Sequence, residues 1–182
     1  MKKIDMTNVQ EAGEFSRPGA GAYICGIVKV EDISDKEYLK VTYDIIEGEF
    51  KGYYKEMREN NPEWTWAGAY VKSYKSAALP MFKRFCTAVS RSNGNFVFDG
   101  NTVNADEQTL VGKKIGLLFG EEEYYGNDGE KKIRLYVARE FSIDKIKDQK
   151  VPELKTIKDE SPKESSKDAG WMKVKEGEEL AF

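Results

Sequence analysis

Two segments of alternating residues around one tight turn constrain this chain more than any other feature. Ile115, Leu117 and Phe119 recur at every second position between residues 111 and 124. Ile133, Leu135 and Val137 do the same between 131 and 141, with Lys132, Arg134 and Tyr136 in the intervening places. Between the two runs lies Tyr125-Gly126-Asn127-Asp128-Gly129, a sequence that closes hairpins. A period of two puts one set of side chains on a buried face and the other in solvent. The chain therefore contains antiparallel sheet, and Lys132, Arg134 and Tyr136 are predicted to form an outward row.

The same pattern recurs upstream. Residues 22–31 are β-branched and aromatic, with Gly26 marking a bulge or bend, and residues 37–47 place Leu39, Val41, Tyr43 and Ile45 on one face. Residues 50–57 read as a third strand. Residues 58–75 are ambiguous, a turn at Asn60-Asn61-Pro62 followed by Trp64, Trp66, Tyr70 and Tyr74. Over 76–91 the period changes: Leu79, Phe82, Phe85, Cys86 and Val89 recur at helical steps, Pro80 fits a first turn, and Ser92-Asn93-Gly94 is a stop. Phe96-Val97-Phe98 reads as a short strand before a polar loop.

Stripped of loops, the order is three strands, a helix, then two strands. That order predicts a mainly β protein with one helix, a five-stranded Greek-key barrel of the OB-fold type with its helix between strands 3 and 4. An open α+β sheet with one covering helix is the competing architecture. The breaker cluster Arg17-Pro18-Gly19-Ala20-Gly21 separates a leader at 1–20 from a domain at 21–147. Residues 148–182 lose all periodicity and read as a flexible, acidic C-terminal tail.

Composition narrows the chemistry. The 182 residues include no histidine and two cysteines, Cys25 and Cys86, far apart in apolar surroundings. His-dependent hydrolases and His/Cys metal sites are thereby excluded, and no cofactor or metal is expected. No apolar run reaches the roughly 20 residues that span a bilayer, and no hydrophobic stretch follows Met1-Lys2-Lys3. A cytoplasmic protein without membrane contact is the expectation. A nuclease built on Glu121, Glu122 and Glu123 fails on geometry, because successive strand residues point to opposite faces. We expect no enzyme.

What remains is a mixture of rings and cations. Lys51, Tyr53, Tyr54, Lys55 and Arg58 form one group; Trp64, Trp66, Tyr70, Lys72, Tyr74 and Lys75 a second; Lys132, Arg134 and Tyr136 the third. Unpaired bases stack on aromatic side chains for roughly 1–3 kcal/mol each, while Lys and Arg neutralise phosphate. These fourteen residues are the candidate single-stranded nucleic-acid contacts. The competing role for each ring is the core, to which Tyr23, Tyr43 and Phe119 are assigned, and Trp64 and Trp66 could cap a barrel end. Net charge argues against a nucleic-acid binder: it is -3, all of it carried by residues 159–182. The chain end offers a second candidate surface. Glu176, Glu178, Glu179, Leu180 and Phe182 combine carboxylates with a terminal ring, suited to a basic pocket on a partner protein.

Several stretches carry a resemblance. Tyr74-Lys75-Ser76-Ala77-Ala78-Leu79-Pro80-Met81-Phe82-Lys83-Arg84-Phe85, Ser92-Asn93, Leu110-Val111-Gly112-Lys113-Lys114 and Phe119-Gly120-Glu121-Glu122-Glu123-Tyr124 are similar to a family of bacteriophage and prophage proteins, as is Gly48-Glu49-Phe50-Lys51-Gly52. The likeness spans roughly residues 17–155. It implies single-stranded DNA binding in phage DNA replication or recombination, a Gram-positive host, and no catalytic motif. The tail resembles those of single-stranded DNA-binding proteins, which end in acids, a hydrophobic residue, proline and phenylalanine; here Ala181 stands in the proline position. The expectation is a non-catalytic DNA-coating protein of the bacterial cytoplasm, whose tail recruits phage or host replication and recombination proteins. The alternative is an OB-like protein-interaction adaptor without nucleic-acid binding. Homo-oligomerisation stays open.

Overall fold

The computed structural model describes Lys3, Asp5, residues 17–100 and residues 106–157. Its elements in chain order are β1 (Gly21–Ile33), β2 (Tyr38–Ile45), α1 (Tyr53–Asn60), β3 (Ala69–Ser73), α2 (Leu79–Ser92), β4 (Lys114–Tyr125) and β5 (Lys131–Phe141), with short 3-10 turns between them. The strands make one antiparallel five-stranded sheet in the order β3-β2-β1-β4-β5. Its hydrogen-bonded ladders leave it open, with β3 and β5 as edges. No described helix is long and apolar enough to cross a membrane.

The alternation read from sequence does build the core. Leu39, Val41, Tyr43 and Ile45 of β2 and Ile115, Leu117 and Phe119 of β4 are buried on one face, with Cys25, Ile27 and Val30 of β1. Phe85 and Val89 of α2 close that layer. Each such side chain contributes about 1.5–3 kcal/mol of hydrophobic transfer. Burial also makes the thiols inert: it pushes Cys86 up to about 11 and Cys25 further still. Gly26 is needed for a close approach, since a Cβ there would meet Ile46 at 2.9 Å; the β1 register shift follows two residues later, between Ile27 and Lys29.

Three expectations need correction. Residues 50–57 are not a strand. The chain turns at Gly52, whose φ of 80° suits glycine, and enters α1, a second helix that periodicity over eight residues did not separate from a strand. Asp44 sets that start. Its buried carboxylate accepts hydrogen bonds from the N–H groups of Tyr54 at 3.0 Å and Lys55 at 3.3 Å, in the first turn of α1. A carboxylate there satisfies orphan donors and complements the helix dipole. The third strand is instead Ala69–Ser73, from the segment sequence reading left unassigned. Phe96-Val97-Phe98 forms no strand; Phe98 is buried and its N–H donates to Ser90 Oγ at 2.9 Å.

The ends differ from expectation as well. Pro18, placed in the leader, is fully buried, and Tyr23 donates its hydroxyl to the Gly19 carbonyl at 3.0 Å. The stretch placed in the flexible tail returns to the sheet at Lys155. Lys155 bridges Glu122 in parallel fashion along the β4 edge that β1 vacates beyond Gly21. The remaining tail, including Glu176, Glu178, Glu179, Leu180 and Phe182, lies outside the described residues.

Candidate nucleic-acid interface

Most rings of the first two candidate groups turn inward. Tyr54 is buried, and its ring meets Tyr43 edge-on at 5.4 Å and Tyr53 at 5.2 Å. Tyr53 packs in turn on Phe50, Phe50 on Tyr23, and Tyr23 on Phe119, so the rings form a continuous interior cluster. Aromatic pairs of this kind, edge-to-face except for the tilted Tyr23–Phe119 pair, add about 0.5–1.5 kcal/mol each beyond their burial. Trp66 is half-buried and donates its indole N–H to the Tyr43 carbonyl at 2.9 Å. Tyr74 donates to Asp32 Oδ1 at 2.8 Å and meets Phe82 edge-on.

Tyr70 and Lys72 are the clearest departures. They pair with Val41 and Leu39 of β2, so both share the core face. The Tyr70 hydroxyl is buried without a hydrogen-bond partner, and burial, reinforced by the Glu140 charge, holds it well above the usual phenol range. Lys72 is 6% exposed and places Nζ 2.5 Å from Glu140 Oε1. Arg84 of α2 stands 3.6 Å from the other oxygen of the same carboxylate. Tyr54 and Lys72 therefore have almost no surface to offer a ligand, and Tyr70 is half-buried with its hydroxyl turned inward. The exposed remainder of these groups is Lys51, Lys55, Arg58, Trp64 and Lys75. Trp64 is 55% exposed, in the loop between α1 and β3. Lys55 lies 3.9 Å from Glu59, and Arg58 donates to the Asn61 carbonyl at 3.4 Å.

The cationic row of the hairpin faces outward as its alternation predicts. Ile133, assigned to the inner face, is however 39% exposed, and Leu135 and Val137 are only half-buried. Across the β4–β5 ladder Tyr124 faces Lys132, Glu122 faces Arg134, and Gly120 faces Tyr136. Arg134 donates Nε–H to Glu122 Oε1 at 2.8 Å, and its guanidinium lies 5.2 Å from the Tyr124 ring centroid. Lys132 pairs with Asp128 in the turn, which lowers the Asp128 carboxyl. The Tyr136 ring rests on Gly120, where a Cβ would meet it at 2.7 Å. A register shift between Leu118 and Phe119 then reverses the parity of β5, so that Glu140 turns into the core while Tyr136 faces out. Glu121 and Glu123 pair with Leu135 and Ile133 while Glu122 pairs with Arg134, so the three acids do not converge.

Two participants escaped sequence reading. Glu140 falls on the outward parity of the 131–141 alternation, and only the bulge turns it inward. Lys155 sits in a polar stretch of mixed charge, yet its Nζ stands 3.7 Å from the centroid of the Tyr136 ring. Compared with known proteins, the chain matches no family model and no curated sequence.

Proposed function

We propose that the protein binds single-stranded DNA without transforming it, in phage DNA replication or recombination within a bacterial cytoplasm, and that its acidic tail recruits partner proteins. The observation that carries this reading is the outward row of the hairpin, where rings and cations alternate: Tyr124 with Arg134, and Tyr136 with Lys155. Rings take bases and cations take phosphates, with no need for sequence readout. Exposed Trp64, with Lys51, Lys55 and Arg58, supplies a second patch of the same chemistry.

The fold supports the same reading. Strand order β3-β2-β1-β4-β5 with α2 between β3 and β4 is that of an OB barrel, and we read the open sheet as one whose β3 and β5 edges are held by the Lys72–Glu140 pair. In such barrels the β4–β5 hairpin borders the oligonucleotide groove. Titration with a dT 30-mer at low salt should quench tryptophan fluorescence, and the affinity should fall as salt rises. Absence of binding at low salt overturns the reading.

One observation favours an OB-like adaptor without DNA affinity: Lys132 and Arg134 are already engaged by Asp128 and Glu122, and residues 1–158 carry no net charge. A pull-down with and without residues 176–182 separates this from the first reading, because the adaptor keeps its partners while failing the DNA titration.

A further inference from the structure

Beyond its sequence neighbours, the hairpin carries a strap. The Glu123 N–H donates to the Lys155 carbonyl at 2.8 Å, the Lys155 N–H to the Glu121 carbonyl at 3.0 Å, and the Ile157 N–H to Glu123 Oε2 at 3.0 Å. These bonds fix the strap backbone beside β4. Because Lys155 bridges Glu122, whose side chain lies on the outward face with Arg134, the Lys155 side chain reaches that face too. Gly120 has no side chain to obstruct it, and the ammonium comes to rest over Tyr136. An ammonium 3.7 Å from a ring centroid occupies the place where a stacked base would lie.

We propose that residues 151–157 are a displaceable cap on the nucleotide site, with Lys155 holding the Tyr136 ring until an unpaired base takes its place. The inference rests on the nucleic-acid reading of the hairpin and adds its regulation. Binding exchanges one cation–π contact and the three strap hydrogen bonds for base stacking.

The test uses the full chain and its K155A variant, in which an exposed side chain is removed and folding is unaffected. Affinity for a dT 30-mer is measured at one fixed salt concentration, and amide exchange at Glu123 and Lys155 is followed with and without the oligonucleotide. K155A should bind about two- to fivefold more tightly, the size of one exposed cation–π contact. In the wild type, oligonucleotide should strip protection from both amides. Weaker binding by K155A with both amides still protected overturns the cap and makes Lys155 a fixed phosphate contact, leaving the DNA reading intact. No binding by either protein overturns the DNA reading and the cap together.

Discussion

Residues 51–75 and residues 132–136 have the same vocabulary, tyrosines among lysines and arginines, and the fold treats them oppositely. In the first segment Tyr54 and Lys72 are buried, and Tyr53, Trp66 and Tyr70 pack against the core. In the second, Lys132 and Arg134 stay exposed and Tyr136 lies on the outer face. The difference comes from what surrounds each. Segment 51–75 has no alternating partner run of its own, so a helix and a short edge strand use its rings to complete the core layer on one face of the sheet. The hairpin already has an apolar face in Leu135 and Val137, and its rings are left over. Aromatic-basic composition is therefore a poor guide to a binding surface until a strand assigns the faces.

The sharpest way to break this comparison is at Lys72. E140A leaves its ammonium buried without its closest counter-charge, which should cost about 3–5 kcal/mol in urea denaturation. A loss below about 1 kcal/mol would mean that Lys72 reaches solvent, as an exposed pair does, and would return it to the candidate interface. A second contrast pairs Tyr54 with Trp64. Y54A should lower stability by about 3–5 kcal/mol, as loss of a buried ring does. W64A should leave the denaturation midpoint in place and weaken dT binding by about 1–3 kcal/mol. Equal effects of the two substitutions on stability would erase the distinction between inner and outer rings.

The smallest effect tests how the inner segment starts. Burial raises the Asp44 carboxyl above its ordinary value of 3.8, outweighing the N–H donors of Tyr54, Ile45 and Lys55. The folded chain then keeps this proton to higher pH than the unfolded chain does, so stability falls as pH rises through the window just above 3.8. D44N should remove that slope from a series of thermal melts. An unchanged slope would assign it to other carboxylates.

Alternation was enough to locate β2, β4 and β5, and β-branched and aromatic content located β1. Gly126-Asn127-Asp128-Gly129 marked the turn, and three- and four-residue steps the helix, because each of these carries its own signal within a dozen or so residues. The outward course of Lys132, Arg134 and Tyr136 followed from the same period of two. The start of α1 was not legible, since it depends on Asp44, a residue of another strand whose carboxylate reaches the first turn. Nor was β3, whose five residues became a strand by pairing with β2 rather than by any pattern of their own. Lys72 and Lys155 make the division plain: both are lysines in polar surroundings, and neither fate follows from its neighbours in sequence. A bulge sixty-odd residues away turns Glu140 toward one, and a glycine opposite Tyr136 opens a path for the other. Local patterning can say which face a side chain prefers, but what it meets there depends on strands that chain folding brings alongside.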